Sequence, residues 1–211
     1  MLRKIFIPCL LLADACHAAE WEWQPVAGDA PLSAGAVVVQ DRVAQMWLRA
    51  RQPSEIKLRI DFPPGEAAAT GFARYFHAGT RSVRSRYQIL KTTLTRTVRV
   101  QDGVVFIHLI ADHPGALTFR VTLDGARIED RRQLISPAAH VWVLPFESDV
   151  AGHGNSISIS GEGEALVLWV FGTGERATTL ARLGARHDPG HNPPDPAKIW
   201  AGVCASAENS P

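Results

Sequence analysis

The sequence predicts an all-β fold, a two-sheet antiparallel β-sandwich of the supersandwich kind with a short C-terminal helix. Beyond residue 20 the apolar residues alternate or come in short runs bounded by Gly, Pro, Asp and Asn, which is strand periodicity rather than helix periodicity. In Ile56-Lys57-Leu58-Arg59-Ile60-Asp61-Phe62 apolar and charged residues alternate strictly, so one face is buried and the other wet. The runs VVFIHLIA at 104–111 and ALVLWVF at 165–171 are apolar on both faces and read as central strands. A sheet with such strands needs a covering layer, and too little helical pattern exists to supply one, so a second sheet is required.

The elements follow in order. Residues 1–19 have the form of a secretory signal: Arg3 and Lys4, an apolar stretch from Ile5 to Ala13, then small residues before Glu20. Asp14 stops the apolar run well short of the ~20 residues a membrane span needs, so the chain is expected to be exported to a periplasmic or extracellular location. Cleavage after Ala18 is one possibility; cleavage after Ala15 would leave Cys16 first, in the manner of a bacterial lipoprotein. Residues 20–185 form the sandwich domain. Its strands are expected at 35–40, 43–48, 56–62, 87–90, 94–100, 104–111, 117–123, 141–146, 156–160 and 165–172. Gln101-Asp102-Gly103 is a hairpin signal and Pro114-Gly115 a turn, so 94–123 reads as a meander. Residues 186–211 form a tail: four prolines crowd 186–196, and Asp195-Pro196 is an N-cap and first helical position for a short helix at 197–203.

Composition narrows the function. The chain has 211 residues, 46% of them apolar, with 22 basic and 21 acidic side chains. That is a globular balance without the basic footprint of a nucleic-acid binder. Cys9, Cys16 and Cys204 make no disulfide framework. Gly172-Thr173-Gly174-Glu175-Arg176-Ala177 imitates a dinucleotide fingerprint but lacks the βαβ unit around it, and His187 and His191 flank Pro189-Gly190, which forbids a helical metal pair. No cofactor and no metal site are expected. His108, inside an apolar run, reads as a core histidine bonded to backbone. Trp142 and Trp169 read as core anchors, and Asp102, Asp112, Asp124, Glu129 and Asp130 sit in turn chemistry. No G-x-S-x-G, H-E-x-x-H or C-x-x-C occurs, and no catalytic residue is assigned.

Two groups are left as candidate ligand-binding residues. Arg81, Arg84 and Arg86 form a basic stretch, and an arginine cluster binds sulfate, carboxylate or phosphate through paired N–H groups. Trp21 and Trp23 alternate with Glu20, Glu22 and Gln24, which puts both indoles on one face of an extended segment. That pair suits either a sugar-stacking platform or the pinning of a terminus to the sandwich.

From Leu94 to Gly125 the chain carries Thr95-Arg96, an Asp102-to-Val104 hairpin, Ala111-Asp112, Pro114-Gly115 and a strand at Leu117 to Asp124. In this order the pieces resemble the N-terminal β-sandwich of the glycoside hydrolases of family 95, the inverting α-L-fucosidases. Residues 159–173 look like the strand in which that domain ends, and Asp195-Pro196-Ala197 like the linker that follows. The family's Pro-X-Gly-Asn-Gly signature appears here as Pro31-Leu32-Ser33-Ala34-Gly35, without the Asn-Gly. The resemblance implies a non-catalytic domain associated with carbohydrate degradation. The family's catalytic carboxylate belongs to a helical (α/α)6 barrel that has no counterpart here, so no catalytic residue is carried over. The partners implied are a glycan, a separate catalytic domain or an exported protein; neither nucleic acid nor a membrane span is implied.

Overall fold

The computed structural model describes residues 23–25, 30–32, 37–41, 45–50, 56–63, 69–89, 91–101, 104–145, 149–171 and 200. The chain opens with β1 (Trp23–Pro25), β2 (Ala30–Leu32), β3 (Val37–Asp41), β4 (Gln45–Ala50) and β5 (Ile56–Asp61). It continues through β6 (Ala69–His77), β7 (Ser82–Ile89), β8 (Thr92–Gln101), β9 (Val104–Ala111) and β10 (Leu117–Leu123). Then follow β11 (Arg127–Asp130), β12 (Gln133–Ile135), β13 (Ala139–Pro145), β14 (Asp149–His153), β15 (Ser156–Glu162) and β16 (Glu164–Phe171). Among the described residues these build a nine-stranded sheet, ordered β1-β6-β7-β8-β9-β16-β13-β12-β11, and a seven-stranded sheet, ordered β14-β15-β10-β5-β4-β3-β2. Every pairing is antiparallel and the two sheets stack as the predicted sandwich. Of the expected tail helix, Trp200 is described and is helical; the signal segment, the remainder of the tail and Cys204 lie outside the described residues.

The core forms where the periodicity placed it. In β5 burial alternates strictly, with Ile56, Leu58 and Ile60 inward and Lys57, Arg59 and Asp61 outward. The two runs that are apolar on both faces, β9 and β16, lie side by side in the middle of the larger sheet, with Ile107 opposite Val167 and Phe106 opposite Leu168. Their inward side chains, Val105, Ile107, Leu109, Val167 and Trp169, pack against the second sheet. Outward, Val104, Phe106, Leu166, Leu168 and Val170 join Trp142 and Leu144 of β13 in a second apolar cluster, which Trp200 caps. Each fully buried side chain of this size contributes about 1.5–3 kcal/mol relative to exposure.

The expected meander is corrected. β8 and β9 do form the hairpin, with Gln101 opposite Val104, but the next strand leaves the sheet. β10 crosses to the smaller sheet, where it pairs with β5 and β15, and β9 takes β16 as its second neighbour. The physical reason is that β9 is apolar on both faces and needs a neighbour of the same kind, whereas β10 alternates buried Leu117, Phe119 and Val121 with less buried Thr118 and exposed Arg120. Pro114-Gly115 thus turns between sheets, with Gly115 at a φ of 79° that favours glycine.

Asp112 fastens that crossing. Its Oδ1 accepts from the Thr93 backbone N–H at 2.8 Å and lies 2.7 Å from His113 Nδ1, while its own N–H donates to Thr93 O at 3.0 Å. The His113 hydrogen bond first, and those from Thr93 next, hold the carboxyl down to about 2, from its usual 3.8. A carboxyl depressed in the folded state adds stability above pH 3.8 that is lost as the pH falls through about 2. Asp112→Asn is therefore expected to be less stable than the parent at pH 6 and to lose less stability between pH 4 and pH 2. Urea midpoints across that range check this, and parallel pH profiles for the two proteins would refute it.

Candidate functional site

The arginine stretch occupies the hairpin between β6 and β7, which closes with His77 opposite Ser82 around residues 78–81. Side chains brace this turn. The Thr80 N–H donates to His77 Nδ1 at 3.0 Å, and Thr80 Oγ1 lies 3.0 Å from the same nitrogen and donates to Ser82 Oγ at 3.0 Å. Ser82 Oγ returns a bond to Thr80 O at 3.3 Å, and the Arg81 N–H donates to Ala78 O at 3.3 Å. Gly79 leaves room for the imidazole, since a Cβ there would stand 3.2 Å from His77 Cε1.

Arg81 ends the turn at a φ of 48°, and among the described residues it is the one non-glycine with positive φ. A side chain in this conformation costs on the order of 1–2 kcal/mol, a cost glycine would avoid. Arg81→Gly is accordingly expected to leave the protein as stable or to raise its unfolding free energy by about 1 kcal/mol, measurable by urea denaturation. A loss of more than that would show that Arg81 is held by contacts rather than tolerated. Strain of this kind gathers at functional positions.

From the turn, β7 runs with Arg84 and Arg86 two residues apart on the face away from the sandwich interior. Arg84 is half-buried and stands opposite Tyr75 and Thr97; Arg86 is exposed and stands opposite Ala73 and Thr95. On the other side of β6 lies β1, in which Trp23 is opposite His77. The backbone register therefore places Trp23 two strands from the arginines of β7, at the β1 edge of the nine-stranded sheet. His77, which pairs in register with Trp23, also accepts the hydrogen bond that fixes the turn ending in Arg81. Trp21 lies outside the described residues. Tyr75, His77 and Thr80 are the members that sequence reasoning missed. Thr80 lies in the turn, and Tyr75 and His77 belong to β6, whose alternation is broken by a register shift between Thr70 and Ala73 around Gly71, with a φ of 65°.

The remaining candidates resolve individually. Trp142 and Trp169 are buried as expected. His108 is a correction: its Nε2 lies 2.6 Å from Glu164 Oε1 rather than against backbone, and its ring stacks on Trp200 with centroids 4.8 Å apart. A carboxylate partner is reachable because His108 and Glu164 lie on the same outward face of adjacent strands. Asp130 Oδ1 accepts from the Arg132 N–H at 2.6 Å, Glu129 pairs with Arg127, and Asp124 N–H donates to Lys57 O at 3.3 Å, all local turn or surface contacts. Among the described residues no three His, Cys, Asp or Glu side chains gather as a metal site would need. Asp102, His187, His191 and the Gly172–Ala177 motif lie outside the described residues.

One charged cluster is interior. Arg96 is 1% exposed and its Nη2 lies 2.6 Å from Asp41 Oδ1, bridging β8 of one sheet to β3 of the other. Its Nε donates to Ser85 Oγ at 3.1 Å, and its guanidinium carbon lies 4.5 Å from the Tyr87 ring centroid and 4.9 Å from that of Phe62. Burial pushes the Asp41 carboxyl up against the opposing pull of Arg96, Ser85 and Arg74, and pushes the Tyr87 phenol up to about 12. With both partners buried, this arrangement is a clamp between the layers and is assigned to stability. A scan against models of protein families and a search of curated proteins each found no match to this chain.

Proposed function

We propose that this protein is an exported, non-catalytic recognition domain for carbohydrate, of the kind that precedes the catalytic barrel in the fucosidases of glycoside hydrolase family 95. The reading rests on the order of strand and turn motifs from Leu94 to Gly125 and on the signal-like residues 1–19. The observation that carries the recognition role is the register that sets Trp23 of the edge strand opposite His77, the residue whose ring braces the turn ending in strained Arg81. Planar aromatics and arginines braced by fixed backbone are what a flat, hydroxyl-rich ligand requires. Docking through an exposed apolar face is the weaker reading. Among the described residues the exposed large apolar side chains are Phe72 and Ile110, each 37% exposed, and the apolar outer cluster is already capped by Trp200.

Titration of the purified protein with a panel of neutral and acidic oligosaccharides, read by calorimetry and tryptophan fluorescence, tests the proposal. At least one glycan class is expected to bind, with affinity reduced about tenfold in Trp23→Ala, an effect of ~1.4 kcal/mol. Absence of binding to every glycan, or release of fucose from a fucoside by the pure chain, would sink it.

A further inference from the structure

We propose that β14, an edge strand of the smaller sheet, pairs with the same strand of a second copy of this chain, joining two sandwiches through one continuous antiparallel sheet. Among the described residues the two sheets end in four edges, β1 and β11 on the larger and β2 and β14 on the smaller. An edge offers unpaired backbone N–H and C=O groups to any passing strand, and proteins blunt their edges with proline, charge, bulges or shortness. Three of the four are blunted in this way. β1 and β2 have three residues each and contain Pro25 and Pro31. β11 has four residues, three of them charged, and a break in register between Ile128 and Asp130. β14 differs: it has five residues, with Val150-Ala151-Gly152 at its centre, no proline, lysine or arginine, and an unbroken register along β15. Ala151, Gly152 and His153 are exposed.

The hairpin that carries β14 fixes which groups face outward. Residues 154–155 make a two-residue turn, with Gly154 at a φ of 61°. The pair that closes such a hairpin, His153 and Ser156, is hydrogen-bonded, so by alternation the N–H and C=O of Val150 and Gly152 point away from β15. Among the described residues no strand lies beyond β14 to receive them. Val150 packs on the core and a Cβ at Gly152 would stand 2.8 Å from Ile128 Cδ1, so the intervening position 151 faces solvent. The strand is self-complementary. A two-fold axis at Ala151 sets that residue opposite its own copy, Val150 opposite Gly152 and Asp149 opposite His153. Val150 and Gly152 are the residues whose backbone groups point outward, so this register satisfies all of them across the axis. The acidic position meets an imidazole position rather than its own kind, and the two alanines at the axis allow close approach. Through Gly152 and Ile128, β14 lies beside β11, at the far end of the larger sheet from β1, so the pairing neither covers the proposed glycan edge nor depends on it.

Sedimentation velocity on the full chain, from about 1 µM to about 500 µM, tests the pairing. A five-residue contact buries less than the ~1,200 Å² of a stable complex, so the parent is expected to move from monomer toward dimer only as concentration rises. Ala151→Lys places like charges opposite one another at the axis and is expected to weaken association about tenfold or more. Its melting temperature should be unchanged, because residue 151 is exposed. Cross-linking fixes the register. With Cys9, Cys16 and Cys204 replaced by serine, Ala151→Cys is expected to form a disulfide-linked dimer in oxidised glutathione. His153→Cys is expected not to, since its two copies would lie about 14 Å apart, beyond the ~7 Å a disulfide spans. A parent that stays monomeric at every concentration would overturn the assignment. So would dimers that survive Ala151→Lys, as association through the cluster beneath Trp200 would, or cross-linking through residue 153 as readily as through residue 151.

Discussion

Arg96→Ala is expected to lower the unfolding free energy by about 3–5 kcal/mol, the range for breaking a buried ion pair from one side. Three losses add at this position. The Asp41 carboxylate, 7% exposed as a residue, is left buried without the guanidinium 2.6 Å away. Ser85 loses its donor, and Tyr87 and Phe62 lose the cation held between their rings. Asp41→Ala is expected to cost a similar amount by stranding Arg96. The double variant should cost much less than the sum, because the two single losses describe the same pair. Replacing both by apolar residues of similar volume, Arg96→Met with Asp41→Leu, should recover most of the stability. Urea unfolding of the four proteins forms the cycle, and additive single and double effects would refute the coupling. Asp41 also leaves a mark on pH dependence. Its carboxyl is raised in the folded state, so by itself it makes the protein gain stability as the pH falls toward 3.8, opposite in sign to Asp112.

The second large effect belongs to the outer face of the larger sheet. Trp200→Ala is expected to cost about 3 kcal/mol and to make the protein self-associate as concentration rises. The indole is 8% exposed, stacks on His108 and closes a cluster containing Val104, Phe106, Trp142, Leu144, Leu166, Leu168 and Val170. These side chains come from three adjacent strands, so uncovering them opens a contiguous apolar surface rather than isolated residues. Light scattering across a dilution series, with chemical denaturation at low concentration, separates the two effects. A Trp200→Ala protein that stays monomeric and equally stable would show that the cap contributes nothing. Trp200→Phe, which keeps an aromatic ring over His108, should fall between the two.

The sequence made legible those elements whose burial follows a simple period. β9 and β10 run 104–111 and 117–123 as read, and β5, β8, β13, β15 and β16 shift by a residue or two at their ends. Not among the strands expected from sequence are β2, β6, β11, β12 and β14, together with the three-residue β1, whose segment was read only as extended. All but β6 are short, and in β6 the bulge at Gly71 puts residues 69–70 and 73–77 out of phase. Arg96 and Asp41 were nevertheless within reach. Leu94, Arg96 and Val98 share one parity of β8, and Val37, Val39 and Asp41 share one parity of β3, so each strand places a charge among inward-facing positions. Two opposite charges at inward parity announce a buried pair, though not which strands bring them together. The candidate edge was half legible for the same reason. Arg81, Arg84, Arg86 and Trp23 stand out as residue types, but their adjacency through His77 depends on the pairing of β1 with β6, which no local pattern encodes.

The pairing of β9 with β16 sets the order in which this molecule can assemble. Val104 meets Val170 and Leu109 meets Ala165, so the centre of the larger sheet waits for a strand separated from it by six others in sequence. Contacts that close so long a loop are entropically late, and domains built on them fold in milliseconds to seconds. A nascent chain ending before residue 164 presents β9 with one unpaired edge and an apolar flank on each side, the condition under which strands recruit the wrong neighbour.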